Sequence, residues 1–147
     1  MIDKKIRLDD AMEIIKEKLD SGFEVTFSPH GVSMLPFLKS GRDTVTLSPA
    51  PERLKRYDIP LYKRENGQYV LHRIVRVGDT YTCVGDNQLY LEKGIRHDQI
   101  IAVVTSCVRN GKKISPNSLK WRAYAVFWCN TRPIRRAFAA ISRRLKK

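Results

Sequence analysis

Tyr57-Asp58-Ile59-Pro60-Leu61-Tyr62-Lys63-Arg64-Glu65-Asn66-Gly67-Gln68-Tyr69-Val70-Leu71-His72-Arg73-Ile74-Val75 is two apolar-rich runs joined by a polar turn. Glu65-Asn66-Gly67-Gln68 lies between them and its Asn-Gly is a strong hairpin-turn signal, so the pattern predicts strands over Ile59–Lys63 and Tyr69–Val77. Upstream, Phe23-Glu24-Val25-Thr26-Phe27 alternates apolar and polar side chains, the pattern of a half-buried strand. Thr44–Leu47, Thr80–Val84 and Ile100–Val108 are further strand candidates, and Gly78-Asp79 reads as a second turn. The middle of the chain is therefore predicted to be a compact β-rich body with short loops.

Helical patterns flank this body. Leu8-Asp9-Asp10 opens a stretch in which Ala11, Ile14, Ile15 and Leu19 recur at helical spacing, with Gly22 as a stop. Residues 109–118 are polar, carry Gly111 and Pro116, and are expected to form a linker. Leu119–Lys147 reads as two helical pieces divided at Pro133. In the second, Ile134, Ala137, Phe138, Ile141 and Leu145 share one face, and Arg135, Arg136, Arg143, Lys146 and Lys147 lie off it. The predicted organisation is a helix over 1–22, a β domain over 23–108, a linker over 109–118 and a basic helical tail over 119–147.

At 147 residues, with 42% apolar and 29% charged side chains, the chain is sized for one packed domain. Its net charge of +13 is unevenly placed: residues 1–98 hold 16 basic and 15 acidic side chains, residues 99–147 hold 12 basic and none acidic. A nearly neutral body thus carries a basic C-terminal part suited to a polyanionic partner. Cys83, Cys107 and Cys129 form no CxxC pair, and no histidine stands at zinc-finger spacing, so neither a disulfide framework nor a structural zinc site is expected. The opening residues are charged and lack an apolar core, so no secretory signal is expected. No apolar run approaches the ~20 residues that span a bilayer. These features predict a cytoplasmic chain, peripheral at most on the inner membrane face.

The segment richest in chemistry is His30-Gly31-Val32-Ser33-Met34-Leu35-Pro36-Phe37-Leu38, where Gly and Pro bracket a serine in a bend. After it come the strand pair, then His72-Arg73-Ile74-Val75, then Val84-Gly85-Asp86-Asn87. This order of G-x-S-M-x-P, H-R-I-V and G-D-N resembles the signal peptidase and LexA-like serine protease superfamily, in particular its histidine-type signal peptidase branch. The resemblance covers roughly residues 25–104. It implies a mainly β, signal-peptidase/LexA-like fold, Ser33 as nucleophile, His72 as general base where bacterial relatives carry lysine, and Asp86 as the group that orients His72. The chemistry is coherent: a serine hydroxyl needs a base to take its proton, imidazole has a suitable pKa, and a carboxylate on the far nitrogen sets the tautomer. The backbone N–H of Ser33 would supply one oxyanion donor. Neither metal nor organic cofactor is implied.

Some positions depart from the family pattern. Relatives that use a side-chain hydroxyl two residues before the nucleophile have Gly31 as their counterpart here. After Gly85-Asp86-Asn87 the chain runs Gln88-Leu89-Tyr90-Leu91-Glu92, and Asp98 competes with Asp86 as third member, a Ser-His dyad being the other arrangement. The family's usual membrane anchor has no counterpart in this sequence. Lys63, beside Arg64 at a turn, reads as a solvated strand end, and His30 and His97 as surface residues. The expected activity is endopeptidase cleavage of an extended precursor or leader peptide. A non-catalytic peptide-binding module of the same fold and a LexA-like self-cleaving regulator are the alternatives. For residues 119–147, aromatic, apolar and basic residues together suit an anionic membrane surface, against a helix packed on the β body; no specific nucleic-acid reader is expected.

Overall fold

The computed structural model describes residues 8–146. Helix α1 spans Leu8–Asp20, so the first seven residues of the predicted 1–22 segment lie outside the described residues. Met12, Ile15 and Leu19 form the buried face of α1, and Ile14 points to solvent. The strands are β1 (Val25–Phe27), β2 (Asp43–Pro49), β3 (Pro60–Lys63), β4 (Tyr69–Leu71), β5 (Arg73–Val77), β6 (Tyr81–Val84), β7 (Glu92–Ile95), β8 (Ile100–Arg109) and β9 (Lys112–Ile114). Helices α2 (Leu119–Asn130) and α3 (Arg132–Leu145) complete the chain. A β-rich body with helices at both ends is thus observed.

The larger sheet runs β1-β2-β8-β3-β4, with β9 also paired to β8; the smaller runs β5-β6-β7; every pairing is antiparallel. Strands β3 and β8 are buried on both faces. Leu61, Ala102 and Val104 point into a first core with α1, and Tyr62 and Val103 into a second core beneath the small sheet. This is the period-2 alternation of strand side chains applied to a sheet covered on both sides. The Asn66-Gly67 turn closes β3 onto β4: Arg64 N–H donates to Gln68 O at 2.7 Å, and Gly67 takes a φ of 88°.

Two expectations are corrected. The single strand Tyr69–Val77 is two strands, because the chain leaves the large sheet after Leu71 and enters the small one at Arg73. The expected linker over 109–118 is mostly a hairpin: β9 folds back on the end of β8, and Asn110 and Gly111 supply the turn with φ of 50° and 75°. Polar residues there signal a solvent-facing turn, not an open connection. Strand β7, also unexpected, pairs with β6.

Helix α2 is part of the body. Ser118 caps it, its hydroxyl accepting from Trp121 N–H at 3.3 Å, and Trp121 and Ala125 are buried. Pro133 falls in the first turn of α3, where its missing N–H costs nothing.

Candidate active site

Ser33 lies in consecutive turns between β1 and β2. Gly31 takes a φ of 91°, which any side chain would strain. Met34, Phe37 and Leu38 are buried in the first core and pin the segment, leaving Ser33 half-buried beside exposed Val32. The Gly85-Asp86-Asn87 loop closes over it. Asn87 N–H donates to Ser33 O at 2.8 Å, and a Cβ on Gly85 would sit 2.6 Å from that same oxygen. Glycine at 85 therefore permits the loop to meet the serine turn. Arg73 pairs with Val84, so His72 and Gly85 each adjoin that pair along the chain.

His72 is 1% exposed and sits at the corner between the two sheets. Its Nδ1 is 3.2 Å from Glu92 Oε1 and 3.3 Å from the Tyr62 hydroxyl. The Tyr62 hydroxyl donates to Glu92 Oε2 at 3.0 Å. The Tyr62 hydroxyl gives its proton to Glu92 and can only accept from the ring, so the network assigns the imidazole proton to Nδ1, donated to Tyr62 Oη with Glu92 Oε1 alongside. Nε2 then holds the lone pair, and it is buried with no hydrogen-bond partner. Arg64 holds Glu92 in turn, Nε donating to Oε2 at 3.0 Å and Nη2 to Oε1. Burial pushes the His72 pKa below the usual histidine value; Glu92 opposes this and Arg64 adds to it. Burial alone would raise Glu92, but hydrogen bonds from Arg64 and Tyr62 and the nearby His72 outweigh it and hold the carboxyl below its usual value. A neutral imidazole beside an ionised carboxylate is the resting arrangement of a general base.

Asp86 does not orient His72. Its carboxylate is taken by Arg73, Nε to Oδ1 at 2.8 Å and Nη2 to Oδ2 at 2.9 Å, and by the Tyr124 hydroxyl at 3.1 Å. Both members of this ion pair are buried, so Asp86 neutralises an arginine that has no access to water. Asp98 does not take the role either: it is exposed and pairs with Arg96 at 3.0 Å. Glu92, the carboxylate beside His72, is hard to read from the sequence because β7 carries no clean alternation. The one available signal was that it is the first acidic residue after Gly85-Asp86-Asn87.

No hydrogen bond joins Ser33 Oγ to His72 Nε2. Ser33 lines a groove of about 110 Å³ together with Phe27, Pro29, Met34, Val70 and Leu71. Its walls thus include β4, an edge strand of the large sheet, and residues at the end of β1, the other edge. An edge strand offers unpaired backbone groups to an extended peptide.

The remaining candidates stand apart. His30 and His97 are exposed, and Lys63 is exposed with its ammonium 5.5 Å from the centre of the Tyr69 ring. Burial pushes the Cys83 thiol up to about 12 and Cys107 to about 11, so both stay protonated at neutral pH. Among the described residues, no group of three or more His, Cys, Asp or Glu is placed to hold a metal ion. No described helix is long and apolar enough to cross a membrane. Comparison with protein-family models, curated proteins and solved structures finds no match.

Proposed function

We propose that this chain is a serine endopeptidase of signal-peptidase type, with Ser33 as nucleophile, His72 as general base and Glu92 as the group orienting His72. The observation that carries the reading is the buried, unpartnered Nε2 of a histidine whose Nδ1 faces a carboxylate. A polar atom left bare in a protein interior costs about 1–3 kcal/mol, and a catalytic use accounts for keeping it. An extended precursor or leader peptide adds to the β4 edge, and the small groove beside Ser33 takes a small side chain next to the cut.

Substrate binding draws the Ser33 hydroxyl to Nε2; catalytic hydrogen bonds commonly tighten only in the bound complex. Ser33 Oγ attacks the scissile carbonyl as His72 takes its proton. Glu92 stabilises the imidazolium through Nδ1–H, and the Ser33 N–H supports the oxyanion. His72 then protonates the leaving amine. Water, deprotonated by the same nitrogen, releases the acyl group.

A fluorophosphonate probe followed by peptide mapping tests this. The expected result is a label on Ser33 that is lost in His72→Ala. A chain that binds extended peptides but neither takes the label nor cleaves them would replace the peptidase by a binding module of the same architecture.

A further inference from the structure

Helix α3 presents an apolar stripe that the body does not cover. Ile134, Phe138, Ile141 and Leu145 are 58%, 66%, 54% and 82% exposed. Helix α2, in contrast, is fastened to the domain. Trp121 and Ala125 are buried, Tyr124 bonds to the Asp86 carboxylate, and Trp128 Nε1 donates to Asp86 O at 2.7 Å. Arg135 fixes the start of α3 to the same place, donating to Trp128 O at 2.7 Å and to Asp86 O at 3.3 Å. The stripe is therefore held out from the body by a rigid mount.

We propose that α3 is an in-plane anchor for an anionic bilayer, its four large apolar side chains entering the acyl boundary and its arginines meeting lipid phosphates. The charge pattern selects this occupant. Arg144 borders the stripe, Arg132, Arg136 and Arg143 lie on the face away from it, and residues 99–147 contain no acidic side chain. A second copy of α3 packed on the stripe would leave the basic face without a counter-charge, and a nucleic acid would leave the apolar side chains unsatisfied. Anionic lipid answers both features at once. Fourteen residues of helix are about 21 Å long, too short to span a bilayer but suited to lying along it.

The test is flotation of the full chain with vesicles of phosphatidylcholine alone and of phosphatidylcholine with phosphatidylglycerol in equal parts. The wild-type chain is expected to float with the anionic vesicles only. Phe138→Gln/Ile141→Gln and Arg136→Gln/Arg144→Gln are each expected to weaken binding at least tenfold with unchanged thermal unfolding, since these side chains are exposed. Failure of the wild-type chain to float overturns the proposal, as does equal flotation of the variants. So does a wild-type dimer that Phe138→Gln/Ile141→Gln dissociates while neither protein floats.

Discussion

His72 and Arg73 are neighbours with opposite tasks. The imidazole turns toward Glu92 and keeps one nitrogen bare, and the guanidinium turns toward Asp86 and is fully satisfied. The two carboxylates are thereby separable by mutation. Glu92→Gln removes the charge beside Nδ1 that also takes the Tyr62 proton, and is expected to lower kcat by about 10²–10⁴-fold with little change in stability, read from peptide cleavage and urea unfolding. Asp86→Ala leaves Arg73 buried without its partner and is expected to cost about 3–5 kcal/mol in the same unfolding assay. Loss of activity in Asp86→Ala at full stability would return the orienting role to Asp86.

Protonation of His72 has a definite sign. Its pKa is lower in the fold than the ordinary value of about 6.5 that the unfolded chain has. Below that value the unfolded chain therefore binds more protons, and stability falls as pH drops until the folded pKa is passed. Urea midpoints are expected to decrease from pH 7.5 to 5.5, and His72→Gln to flatten that slope. Cleavage should persist below pH 6.5, since the base remains neutral there.

At the level of elements, the Gly85-Asp86-Asn87 loop joins the serine turn to the small sheet by backbone contacts. Gly85→Ala would drive a methyl into Ser33 O, and neither backbone can yield without moving the other. Overpacking of this kind costs about 1–3 kcal/mol, so the variant is expected to lose both stability and probe labelling of Ser33. Unchanged labelling would separate the loop from the site. A second fastening lies at Asp43, where β2 meets the end of β8. Burial would raise this carboxyl, but Arg42, Arg109 and the Lys39 N–H hold it at about 2. Its stabilising effect is fully present above the ordinary aspartate pKa and is lost below it, as pH falls toward the folded value of about 2.

Over the whole molecule, α2 closes the first core that α1 and the serine turn begin. Trp121 packs edge-on against Phe37 at 4.6 Å between ring centroids, and Tyr124 stacks on the same ring at 4.9 Å. Phe37 in turn lies under Arg73, whose guanidinium is 4.8 Å from its ring centre. Helix α2 therefore buttresses the turn that carries Ser33. Trp121→Ala is expected to destabilise the protein by about 3–5 kcal/mol, measured by urea unfolding. A change near zero would make α2 an appendage.

Local patterns along the chain carried much of this architecture. The Asn66-Gly67 hairpin, the alternating strands, the helical stripe of α3 and the glycine-bracketed turn at Ser33 each depend on residues a few positions apart, and so they were readable in order. His72 was readable as a candidate through its place among ordered motifs. The tertiary fold decided which carboxylate meets it, because Glu92 reaches His72 only through the pairing of β7 with β6 and the crossing from β4 to β5. It also split the C-terminal aromatic and basic segment in two, packing one face of α2 on the body through Trp121 and Ala125 and leaving the apolar stripe of α3 bare. That division depends on which side chains find a cavity to fill, a property of the packed body and not of helical periodicity.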